Sequence, residues 1–143
     1  MNAKQAILNP ATSTPSFGTF PGFTVRESGR VFAPGPIQLR YGEHFGPHRG
    51  YGFVHIWREH FPGANVESDA LAQVIQFVQS VLAKGSGVFY EGGTGRHERR
   101  AIVCRVGKML VVLEEMTDAE NNTLYSVVTA FRSNPKGVRV ATL

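Results

Sequence analysis

The sequence predicts an α+β domain: two N-terminal helices packed on one face of a roughly four-stranded antiparallel sheet, with an extended N-terminal arm. Three observations predict it. Helical apolar stripes run through residues 51–82 and stop at Gly85. A period of two takes over from Val88 to Phe131. Residues 1–36 show neither period and hold Pro10, Pro15, Pro21, Pro34 and Pro36, five of the eight prolines. Helices that precede a run of strands segregate to one side of an antiparallel meander. The 143 residues fit one folded unit over 37–143, with 1–36 as a Pro-rich extended arm or linker. Phe17, Phe20, Phe23 and Phe32 are too many aromatics for a purely solvated linker, so the arm is expected to dock on the domain or on a partner.

Ile37–Tyr41 alternates apolar and polar residues and reads as a short strand. Residues 42–50 read as a loop carrying His44, His48 and Arg49, with the histidines as exposed polar residues and Arg49 as a substrate contact. The stretch 51–61 reads as a helix that Pro62-Gly63 ends. Phe53, Ile56 and Trp57 form its core stripe. His55 and Glu59, four apart, share another face. His60 lies about 140° round the helix from His55, so the two histidines project differently. Ser68-Asp69 reads as the cap of a second helix, whose stripe is Leu71, Val74, Ile75, Val78, Val81 and Leu82.

Strands follow at 88–90, 101–106, 109–113 and 124–131, with a tight turn at Gly107-Lys108 and an acidic loop over 114–122. On the last strand, Tyr125, Val127, Thr129 and Phe131 share one face, and Ser126 points to the other. Arg96, Arg99 and Arg100 bracket His97 just before a strand, and Arg132 follows the last one. Cys104, the only cysteine, reads as a buried small hydrophobe.

Charge and composition bound the function. The net charge of +4 favours an anionic partner. No apolar run approaches the roughly 18 residues of a membrane span, and no basic start followed by an apolar core marks a signal peptide. A soluble domain without membrane contact is therefore expected. Gly-x-Ser-x-Gly, His-Glu-x-x-His and kinase motifs are absent, as are paired carboxylates outside the acidic loop. No metal site or cofactor is expected: His55 and His60 are five apart, where a zinc helix spaces its histidines by four.

The remaining set is a histidine helix, arginines at a strand start and a hydroxyl-bearing last strand. It suits cleavage of RNA by its own 2′-hydroxyl. Histidine serves as base or acid near neutral pH. Arginine places positive charge where the phosphorane becomes negative.

The string Gly50-Tyr-Gly-Phe-Val-His55-Ile-Trp-Arg-Glu-His60 resembles the histidine helix of the barnase–EndoU–colicin–RelE-like nuclease superfamily, in its phage and polymorphic-toxin (contact-dependent inhibition) branches. Arg99, Arg100 and Tyr125-Ser-Val-Val-Thr129-Ala-Phe131 are similar to its arginine strand and final strand. The likeness covers roughly residues 37–133. It implies a metal-independent endoribonuclease toxin, with tRNA among its candidate substrates, secreted or delivered into a target cytoplasm and neutralised by an immunity protein. It implies His55 as general acid/base, His60 as a second catalytic or orienting group, Arg99 or Arg100 on the phosphate, and Thr129 as phosphate ligand. Arg49, Glu59, Arg96, His97, Tyr125 and Arg132 are the expected substrate contacts. The alternative is a noncatalytic module that holds nucleic acid or protein, such as a phage structural appendage.

Overall fold

A computed structural model describes residues 1–143. In chain order the strands are β1 (Thr19–Phe20), β2 (Phe23–Thr24), β3 (Val31–Phe32), β4 (Gly35–Gln38), β5 (Glu43–Gly46) and β6 (Arg49–Tyr51). Helices α1 (Gly52–His60) and α2 (Glu67–Val81) follow. The chain continues through β7 (Gly87–Tyr90), a 3-10 turn at Gly95–Arg99, β8 (Arg100–Arg105), β9 (Met109–Thr117), β10 (Thr123–Arg132) and β11 (Val138–Thr142).

The expected four-stranded sheet behind two N-terminal helices is corrected. The sheet is curled and seven-stranded, in the order β1-β4-β10-β9-β8-β7-β11, and six strands precede the helices. Its β7–β10 centre is an antiparallel meander, but β4 joins β10 in parallel, with Tyr125 opposite Ile37. The extra strands come from segments whose period was too short to read. β1 is two residues long, and β11 lies in the expected tail. The acidic loop is also shorter than expected. β9 runs on to Thr117, because Glu114 and Glu115 sit within ladder pairs and meet Arg100 and Arg30 at 3.2 Å and 2.9 Å. The second helix begins at Glu67, one residue ahead of the expected Ser68 cap.

Residues 1–36 are built into the core. Ile7, Phe17, Phe20, Val25 and Phe32 belong to the same 24-residue apolar cluster as α1, α2 and the sheet. Phe20 lies 4.2 Å from the Tyr125 ring, and Phe23 and Phe32 both pack on Tyr90. Removing these rings from water holds the segment, together with backbone hydrogen bonds to residues 37–42, among them the Ile7 and Phe17 N–H groups donating to the Leu39 and Ile37 carbonyls. Arg30 reinforces the join through Glu115 and the Glu98 carbonyl.

The sheet has two unlike faces. Ala101, Val103, Val111, Leu113, Tyr125, Val127 and Ala130 form the closed face. The aromatic arm covers one end of it, and α2 the other, where Arg105 reaches the Ser80 carbonyl and Arg132 lies over Phe77. Ile102, Cys104, Val112, Thr129 and Phe131 lie on the other face and remain half-exposed.

One irregularity decides which residues reach that open face. The ladder passes from Val127–Leu113 directly to Thr129–Val112, so β10 carries a bulge at Val128. A bulge inserts one residue and inverts the alternation beyond it. Tyr125 and Thr129 therefore point to opposite faces, and Ser126 and Thr129 to the same one. The expected Tyr125–Thr129 pairing is corrected.

Candidate functional site

The β4 side of β10 is paired only as far as Ser126. Beyond it, α1 packs along the strand. Two contacts set its position. At its start, Arg40, whose carbonyl accepts the Phe53 N–H, donates from Nε to Ser126 Oγ at 2.7 Å. At its end, the His60 ring stacks on Phe131 at 5.0 Å. The helix thus packs along β10 between these two contacts.

The segment expected to be a plain loop is the β5–β6 hairpin, and it covers α1. It brings His44 onto His55, with the rings stacked at 5.3 Å and the two Nδ1 atoms 3.1 Å apart. The backbone N–H of His48 donates to Glu59, fastening the hairpin tip to the helix. Gly50 permits this approach: its φ is +141°, and a Cβ there would stand 2.3 Å from the Glu43 carbonyl and 2.9 Å from His55 Nδ1. Three histidines and a carboxylate thereby collect at one place. His44 was missed because its contact with His55 depends on how a hairpin folds over a helix.

Burial leaves His55 only 4% exposed and pushes its pKa below the ordinary histidine value. The Glu59 charge partly opposes that shift, and the neighbouring histidines add to it. Burial depresses His60 likewise. The amide of His48 holds the Glu59 carboxyl below its usual range. His55 and His60 are therefore neutral at pH 7. Because the two facing atoms of the His44–His55 pair are both ring nitrogens, one must donate and the other accept. When His55 donates from Nδ1, its Nε2 keeps a free lone pair.

A cleft of about 410 Å³ opens on the exposed face of the sheet, linked to the histidine helix through Phe131, on which His60 stacks. Thr129, Arg100, His97, Lys136 and Phe131 line it, with the acidic Glu91 at its rim. Phe131 is the common wall, since it also carries His60. Thr129 Oγ1 is buried there and has no hydrogen-bond partner. Native structures seldom leave a buried hydroxyl unpaired, and each instance points to strain, to an ordered water or ion, or to a bound ligand. Arg100 is partly committed, with Nε on Glu114.

The other expected residues go elsewhere. Tyr125 is fully buried on the closed face, where its hydroxyl donates to the Ala33 carbonyl; burial raises its pKa, so it is an architectural residue. Arg132 lies over Phe77 on the α2 side. Arg99 lies beside Glu114 and Glu115 near the end of β9, and Arg96 and Arg49 are exposed outside the cleft. Of the arginine pair, Arg100 shares the cleft with Thr129 and Arg99 does not. Arg40 was not anticipated. Held by Ser126 and the Tyr51 ring at 4.3 Å, it places a guanidinium at the start of the histidine helix.

No group of three His, Cys, Asp or Glu side chains gathers in a geometry that holds a metal ion. No helix is long and apolar enough to cross a membrane. Comparison of the chain with family models, with curated proteins and with solved structures finds no match.

Proposed function

We propose that this protein is an endoribonuclease that cleaves RNA by attack of the 2′-hydroxyl on the adjacent phosphate. The observation that carries the reading is the His44–His55 pair: a buried neutral histidine, oriented by a second histidine, on a helix that reaches through His60 to Phe131, a wall of the cleft that holds Arg100, Lys136 and an unpaired hydroxyl. His55 donates from Nδ1 to His44, and Nε2 takes the 2′-hydroxyl proton. The resulting imidazolium keeps its bond to His44 and gains from the Glu59 charge. The 2′-oxygen bonds to phosphorus as the bond to the 5′-oxygen breaks, leaving a 2′,3′-cyclic phosphate. Arg100, Lys136 and the Thr129 hydroxyl meet the phosphorane charge, and His97 delivers a proton to the leaving 5′-oxygen. His60, neutral and stacked on Phe131, acts as a positioning residue.

The resemblance of the 50–60 string to the histidine helix of the barnase–EndoU–colicin–RelE-like nucleases supports the same reading, and with it a toxin role, metal independence and an immunity partner. The test is incubation with total RNA in EDTA, with product ends mapped. Cleavage to 2′,3′-cyclic phosphate ends, abolished by His55→Ala and reduced by His44→Ala in folded protein, is expected. RNA bound but uncut would instead identify a binding module. Cleavage only with added metal would refute the mechanism.

A further inference from the structure

A second groove, of about 580 Å³, lies at the β7–β8–β11 end of the sheet. Lys84, Arg105, Lys108 and Arg139 line it, and no Asp or Glu does. None of the four belongs to an ion pair. The asymmetry originates in the sequence. Residues 70–90, 99–113 and 121–143 contain no acidic residue but carry eight of the fifteen lysines and arginines. The fold gathers these three stretches at one end.

The groove continues the cleft already described. Asn134 lines both, as Phe131 joins the cleft to His60. The ladder also places Gly87, Phe89, Cys104 and Arg139 on the same open face as Ile102 and Thr129. Cys104, expected to be buried, is half-exposed on that floor. From β10 to β7 is three strand spacings, roughly 14 Å. Phe89 offers a half-exposed ring, and nothing crowds the Cα of Gly85 or Gly107. Cations free of carboxylate partners, though Arg105 and Arg139 each donate one hydrogen bond to Ser80 and Thr142, an aromatic platform and bare backbone are the elements of a groove that follows a single-stranded backbone.

We propose that this groove is a phosphate-binding extension of the substrate path, which makes the protein a reader of RNA several nucleotides long rather than of a single dinucleotide step. The assignment rests on the ribonuclease reading for what happens at His55, but the groove's ligand is tested by binding alone. The full-length His55→Ala protein is titrated with a labelled unstructured 12-nucleotide RNA, a trinucleotide and polyglutamate over a salt series. The titration is repeated with Lys84, Arg105, Lys108 and Arg139 all changed to Gln, and with Lys84→Gln/Lys108→Gln only. The double variant removes no side-chain hydrogen bond, and thermal melting checks that both variants fold.

Each phosphate contact on a single strand contributes about 0.7 to the slope of log K against log salt. The quadruple variant is expected to lose roughly 2–3 of that slope and at least tenfold in 12-mer affinity, and the double variant about half the slope loss. Trinucleotide affinity stays unchanged. In the protein that retains His55, dinucleotide cleavage stays constant while KM for long RNA rises. Unchanged slope and 12-mer affinity in folded variants would overturn the proposal. So would groove-dependent capture of polyglutamate with RNA binding unaffected, which would mark an acidic protein partner. Groove-dependent RNA binding by a protein that cuts nothing would refute the ribonuclease reading and leave the groove standing.

Discussion

Replacing Thr129 by Val separates the site's chemistry from its stability. The hydroxyl exposes less than 1 Å² and finds no partner. Burying such a group costs about 1–3 kcal/mol. Valine keeps the branched shape and the strand preference and puts a methyl opposite Val112. The variant should therefore be more stable by about 1–2 kcal/mol. For a chain of this length the unfolding entropy is about 0.3 kcal/mol/K, so Tm should rise by roughly 3–6 °C. If the hydroxyl is held in reserve for a phosphate oxygen, the same change removes a hydrogen bond to a charged group. That bond is worth about 1.5–3 kcal/mol, or roughly 10–100-fold in kcat. The measurements are calorimetry of the free protein and steady-state RNA cleavage, with Thr129→Ser as the control that keeps the oxygen. Opposite signs, with Tm up and kcat down, are expected. A valine variant that melts lower, or cleaves at the full rate, would refute the reasoning.

The remaining predictions concern the histidines and the arm. Because burial lowers the pKa of His55, the acid limb of kcat/KM should fall below the ordinary histidine value; since the Glu59 charge opposes that shift, Glu59→Gln should move the limb further down, and a limb that stays or rises counts against His55 as base. The same depression affects stability. The unfolded chain binds the His55 and His60 protons first as pH falls, so their contribution is complete above about 6.5 and is lost as pH drops towards the lower folded values; denaturant midpoints between pH 7 and 5 should record the loss, and His55→Gln should flatten it. Gly50→Ala should separate the hairpin from α1 and cost activity more than stability, visible as loss of the His44–His55 coupling in histidine NMR titrations. Phe20→Ala should cost about 3–5 kcal/mol by urea unfolding, and a loss under 1 kcal/mol would return residues 1–36 to the status of a tether.

The elements with a long, regular apolar period were legible without a structure. The helices at 52–60 and 67–81, the strand β8 and the turn into β9 lie within a residue or two of where periodicity puts them, while β9 runs four residues past its expected end. The local geometry of α1 was legible too. Helical spacing alone placed Phe53, Ile56 and Trp57 on a stripe apart from His55 and Glu59, and set His60 on a different side; Phe53 and Ile56 are buried, Trp57 packs only partly buried against the core, and His55 is buried as well. What could not be read were features created by pairing. β1, β2 and β3 are two residues each, too short for any period to register. The bulge at Val128 is a property of the β9–β10 ladder, and it transfers Thr129 from the face of Tyr125 to that of Ser126.

The sequence by itself determined a basic α+β chain with a histidine helix, an arginine-rich strand start and acid-free stretches. Residue type and local spacing suffice for those. Only the tertiary structure decided which of these groups meet. It joined His44 to His55 across a folded hairpin, chose Arg100 over Arg99 for the cleft, buried Tyr125 as an architectural residue, and drew three separated basic stretches into one groove. The physical reason is range. Helix and strand patterns reflect interactions within a few residues, while a site depends on register, on a bulge and on the docking of distant segments. Those are set by burying the shared apolar core of all the segments at once.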